Sequence, residues 1–175
     1  MLSLLFAAAL VPPPAHIQGA PRWLDFSIAG YAFAYDEKHT VTTVHDKKRG
    51  FFIKREVECD GGLLSLELTR DRHDVLEAFD MEGHPLSPSS VEKPLPSLTT
   101  GKGVTIGDSP ATVAKRLGKP TKVERTGSRG QYLDYEYVWQ EPKSGDDDLQ
   151  ASYDEVYTFK KGKLIQIVFS RDAGA

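Results

Sequence analysis

Residues 103–120 read Gly103-Val104-Thr105-Ile106-Gly107-Asp108-Ser109-Pro110-Ala111-Thr112-Val113-Ala114-Lys115-Arg116-Leu117-Gly118-Lys119-Pro120, and they carry the one clear helix signature of the chain. Ser109 or Asp108 suits the N-cap, Pro110 the first helical position, and Gly118 the left-handed position after the last turn. Pro120 blocks any continuation. Val113 and Leu117 share one face with Ala114 beside them, while Lys115 and Arg116 near the end complement the helix dipole. A helix of about two turns is not stable alone, so it must lean on a sheet.

Downstream, hydrophobic alternation predicts the sheet. Leu133, Tyr135, Tyr137 and Trp139 alternate with Tyr132, Asp134, Glu136 and Val138. Residues 141–150 are a polar loop, and residues 153–160 and 163–170 form a hairpin about Lys161-Gly162, with Ile165, Ile167 and Phe169 on one face. Upstream, residues 23–81 show period two throughout. Phe51, Ile53, Val57 and Cys59 alternate with Phe52, Lys54, Glu56 and Glu58, and Arg55 interrupts the apolar set. Leu64, Leu66 and Leu68 follow a turn at Asp60-Gly61-Gly62. Further strands are expected over residues 41–45 and 75–81 and around Tyr31, Phe33 and Tyr35. Between them, residues 82–103 hold Pro85, Pro88, Pro94 and Pro96 among serines and threonines, a composition that predicts an extended linker. The expected fold class is therefore α+β: an N-terminal antiparallel β-meander over 23–81, a Pro/Ser linker over 82–103, and a C-terminal domain over 104–171 whose short helix packs on a three- or four-stranded antiparallel sheet.

The chain has 175 residues, 27% of them charged, with 22 Lys+Arg against 25 Asp+Glu and a net charge of −3. Residues 1–100 carry 10 basic and 14 acidic side chains and the remainder 12 and 11, so neither half is basic enough for nucleic acid to be the expected partner. One cysteine, Cys59, excludes an intramolecular disulfide and a zinc site built on Cys pairs. Its place on the apolar side of a strand makes it a buried thiol and not a nucleophile. Residues 2–11 are an apolar run ended by Pro12-Pro13-Pro14. As a helix it rises roughly 15 Å, half of a bilayer core, so a signal peptide over 1–20 is expected and a transmembrane span is not. Ala9, Ala15 and Ala20 are candidate cleavage positions, and no basic residue precedes Arg22. The expected location is periplasmic or secreted.

The run from Gly103 to Pro120, the aromatic strand at Tyr135-Glu136-Tyr137 and the closing hairpin from Tyr157-Thr158-Phe159 to Val168-Phe169 together resemble a known domain. It is the one shared by the small outer-membrane lipoproteins of β-barrel assembly (SmpA/OmlA, also called BamE) and the β-lactamase inhibitor protein repeat. The resemblance covers residues 101–171. It implies a non-catalytic protein that binds other proteins at the bacterial envelope, in a scaffold or assembly role, or else a proteinaceous inhibitor of a hydrolase. The barrel-assembly members carry a lipid on an N-terminal Cys, and no Cys follows the apolar run here, so no lipid anchor is evident. The inhibitors have tandem repeats with disulfides, against one recognisable copy and one Cys in this chain.

Catalytic, cofactor and metal sites are not expected. His16, His39, His45, His73 and His84 form no ligand spacing, and His45-Asp46 are strand neighbours that point to opposite faces. Gly101-Lys102-Gly103 lies before a strand and not between strand and helix, and Asp146-Asp147-Asp148 lacks the calcium-loop spacing. The informative group is aromatic. A small sheet with one helix cannot bury both faces, and exposed Tyr and Trp are effective contact anchors. Tyr132, Asp134 and Glu136, opposite the Leu133/Tyr135/Tyr137/Trp139 face, are thus the candidate protein-binding residues. The competing reading is a small-ligand carrier or enzyme with a cleft between the two sheets, where Arg55, His45 and Asp134 would converge.

Overall fold

The period-two stretches fold as strands, and they join in a way that alternation alone does not specify. A computed structural model describes residues 19–32, 40–57, 64–70, 89–142 and 150–172. In chain order the elements are β1 (Ser27–Ile28), β2 (Tyr31–Ala32), β3 (Thr40–Asp46), β4 (Phe51–Val57), β5 (Leu64–Arg70), β6 (Ser89–Glu92), α1 (Pro110–Leu117), β7 (Lys122–Thr126), β8 (Tyr132–Gln140), β9 (Ser152–Lys160) and β10 (Lys163–Asp172). β1 and β2 form a two-stranded hairpin, and the other eight strands form one sheet in the order β6-β3-β4-β5-β10-β9-β8-β7. Neighbours are antiparallel except β3 and β6.

This overturns the expected α+β class. Among the described residues the protein is mostly β, with ten strands, one eight-residue helix and a mixed eight-stranded sheet in place of a three- or four-stranded one. The cause is the junction of β5 with β10, which runs from Gln166↔Thr69 to Arg171↔Leu64. Pairing there satisfies two rows of main-chain groups that separate meanders would each leave as an open edge. Residues 89–103, within the Pro/Ser stretch, carry β6, the buried Leu95 and Thr100, and the bridges Ile28↔Thr100 and Thr99↔Thr105. The apolar run over 2–11, Cys59, Phe33, Tyr35, residues 75–81 and residues 146–148 lie outside the described residues. No helix among the described residues is long and apolar enough to cross a membrane.

One sheet face is the core. Val44, Ile53, Leu68, Ile167 and Tyr157 lie in one cross-strand row and are buried, and Leu66, Phe169 and Tyr137 belong to the next. Trp23, Leu24, Ile28, Leu95, Val104, Val113 and Leu117 complete the same cluster from the N-terminal segment, the 95–104 segment and α1. The helix ends follow their sequence chemistry. Ser109 Oγ accepts the Thr112 N–H at 3.1 Å, Gly118 has φ 102°, and the Tyr137 hydroxyl donates to the Gly118 carbonyl at 3.0 Å.

Asp25 fastens this cover. Its Oδ1 accepts the N–H groups of Phe26 and Ser27, and its Oδ2 that of Lys102, while its own N–H donates to Glu155 Oε1 at 2.6 Å. Gly101 leaves the necessary room, because a Cβ there would lie 2.5 Å from Asp25 Oδ1 and 2.6 Å from Ser27 Oγ. Gly101→Ala is therefore expected to lower unfolding free energy by about 1–3 kcal/mol in a urea titration. Ser109→Ala, which removes the helix cap and the hydroxyl contact with Thr112, should lower it by about 1 kcal/mol.

Candidate functional site

The second face of the sheet is built from the polar positions of the same alternation. Glu124, Asp134, Thr158, Gln166, Thr69, Phe52 and His45 form one row across it, and Lys122, Glu136, Val156, Val168, Glu67, Lys54 and Thr43 form the next. Most of these side chains are half-buried, in contrast to the buried rows beneath. A groove of about 660 Å³ opens on this face, with Thr69, Thr158 and Gln166 along its row and Phe52 and Tyr132 towards its two ends.

The structure brings Tyr132 and Asp134 into the groove, and Glu136 lies just outside it. Tyr132 is covered on one side by Lys160, whose Nζ is 5.3 Å from the ring centroid. Asp134 Oδ2 accepts the Thr126 hydroxyl at 2.6 Å, whereas Oδ1 is buried with no hydrogen-bond partner. Glu136 instead faces Lys122, at 3.7 Å, and Lys122 also holds Glu124 at 2.8 Å. The hydrogen bond that Lys122 donates to Glu124 is the main cause that raises the Lys122 pKa above its usual value. On the next strand Asp154 is pushed up by burial and by the charges of Glu136 and Asp172, so this end of the face is acidic.

Arg55, His45 and Asp134 are not brought together. Arg55 lies in a core-side row opposite Thr42 and Leu66. His45 stacks on Phe52 with centroids 5.7 Å apart, and Asp134 stands on β8, at the far side of the groove. Both halves of the chain share one sheet, so the groove lies on a sheet face and not between two sheets. Its two carboxylates come from Glu67 on β5 and Asp134 on β8, with β10 and β9 between those strands. No group of three or more His, Cys, Asp or Glu side chains able to hold a metal occurs among the described residues.

Sequence reasoning missed Glu67, Thr69, Arg70, Thr158, Lys160 and Gln166 as groove residues. All but Arg70, which has the parity of Leu66 and Leu68, sit where alternation places an outward side chain, but only the β5–β10 junction brings those of β5 beside those of β9 and β10.

The most perturbed carboxyl is on the other face. Glu155 is 1% exposed and accepts from the Asp25 N–H and, at 2.7 Å, from the Tyr157 hydroxyl. Burial pushes its pKa from 4.5 up to about 8; Tyr157 and the Asp25 N–H act in the opposite sense. Perturbed groups often mark active sites, yet this one lies under the N-terminal cover, where it anchors that segment.

No family model, no curated protein and no solved structure matches this chain.

Folded Glu155 keeps its proton up to about pH 8, whereas the unfolded side chain releases it near 4.5. Between those values the folded state binds more protons, so this residue makes stability fall as pH rises through that window. Chemical denaturation at pH 5 and pH 8.5 should show a loss of a few kcal/mol in the native chain, and Glu155→Gln should remove most of the difference.

Proposed function

We propose that this chain is an exported, non-catalytic protein-binding module of the bacterial cell envelope, with a scaffold or assembly role, and that it engages its partner through the second face of β8 and β9. The observation that carries this reading is the buried, unpartnered Oδ1 of Asp134 beside Tyr132 in an open groove. A buried acceptor without a donor is costly, and a partner's Lys or Arg side chain entering the groove would satisfy it after a small rotation of the carboxylate. Tyr132 offers contact area at low entropic cost, and the acidic Glu136–Asp154 end favours a basic partner surface. The resemblance of residues 101–171 to the BamE and inhibitor domain supports the same class of function, and the apolar run at residues 2–11 supports export.

The groove volume of about 660 Å³ also lies within the range of small-molecule sites, which favours a second reading as a carrier of a small polar ligand. The two separate by experiment. Immobilised full-length chain should retain a specific envelope protein whose recovery falls at least ~10-fold in the Tyr132→Ala/Asp134→Ala/Glu136→Ala variant, with circular dichroism unchanged. Retention should weaken as salt rises. Equal recovery by both proteins would sink the proposal, and a thermal shift with small polar solutes but with no protein would favour the carrier.

A further inference from the structure

We infer that strand β7 is a self-complementary edge at which two copies of this chain pair antiparallel, with the two-fold axis at Val123. β7 ends the eight-stranded sheet, and no described strand pairs with its outer side. Residues 122–125 are exposed along it, and Val123 is 55% exposed, one of two large hydrophobic residues so placed among the described residues.

The hydrogen-bond pattern fixes which groups of β7 are free. The Val138 N–H points to the β7 side, where it donates to Thr121 Oγ1 at 3.1 Å, and the Glu141 N–H points to the other side, donating to the Ala151 carbonyl. Main-chain groups alternate along an antiparallel strand, so Glu136, Asp134 and Tyr132 bond to their partners Lys122, Glu124 and Thr126. The N–H and C=O of Val123 and Arg125 therefore point outward, ready to pair with another strand.

Charge then selects the register. An axis at Val123 sets Lys122 opposite Glu124 of the second copy, twice, as non-hydrogen-bonded pairs whose side chains approach most closely. An axis at Glu124 sets Glu124 against itself, and an axis at Lys122 sets Lys122 against itself, both repulsive. Axes between residues mismatch the outward groups. Only the Val123 register combines outward main-chain groups with opposite charges. It also continues the apolar row Ile167, Tyr157, Tyr135, Val123 into Val123 of the second copy. The edge at the other end of the sheet is four residues long and is followed by Pro94, which makes it a poorer template.

Sedimentation equilibrium of the full chain tests this independently of the open-face reading. A concentration-dependent monomer–dimer equilibrium is expected. Lys122→Glu or Glu124→Lys alone creates two like-charge pairs and should raise the dissociation constant about tenfold or more. The Lys122→Glu/Glu124→Lys exchange should return it to within about threefold of the native value, since it rebuilds both pairs in reverse. Val123→Lys, at a position exposed in the monomer, should abolish the dimer while leaving the melting temperature unchanged at concentrations where the native chain is monomeric. A chain that stays monomeric at its highest soluble concentration overturns the inference. So does a dimer indifferent to these substitutions, or one that the double exchange fails to restore.

Discussion

The antiparallel pairing of β5 with β10 is the constraint on which the rest of the structure depends. It joins strands about a hundred residues apart in the chain, with Leu66 opposite Phe169 and Leu68 opposite Ile167. On one side it makes the apolar row from Val44 to Tyr135 continuous, so that α1, Trp23, Leu24 and the 95–104 segment cover one core and not two. On the other side it brings Thr69 beside Gln166 and thereby lays the middle of the groove. Without it, two narrow meanders would each expose an apolar edge strand, the arrangement that invites aggregation.

Local features of this architecture were legible because their causes are local. The capping chemistry of Ser109, Pro110 and Gly118 delimits α1, and alternation places β4, β5, β8, β9 and β10 near their observed bounds. The hairpin between β9 and β10 turns through Lys161 and Gly162, both at positive φ, as a tight two-residue turn requires. The features that escaped are those set by distant partners. Lys122–Thr126 is too charged to announce a strand, and it is held as one by β8. Ser89–Glu92 sits between prolines and becomes β6 through parallel pairing with β3, while Leu95 is tied down by the Asp46 carboxylate. Above all, nothing in the periodicity of β5 or β10 says that each is the other's neighbour, and this is why the fold class read from the sequence was wrong.

The candidate site divides in the same way. That Tyr132, Asp134 and Glu136 share one side of β8 follows from period two, and the structure places them together on the face away from the core. That Asp134 has a buried oxygen without a donor while Glu136 pairs with Lys122 depends on β7, which alternation did not reveal. The same strand supplies the free edge, so the open face and the pairing edge are adjacent, and Lys122 belongs to both, facing Glu136 on the one and exposed along the other. A buried carboxyl such as Glu155 could not have been read from sequence, because Asp25, its hydrogen-bond partner, lies 130 residues away.

The most direct test of this account is nuclear magnetic resonance of the full chain, read at the β5–β10 junction. Cross-strand contacts between the main-chain protons of Leu66 and Phe169 and of Leu68 and Ile167 are expected, together with amide exchange at these strands that requires global unfolding. Absence of those contacts, with β10 amides exchanging as an open edge, would contradict the single shared sheet and everything built on it.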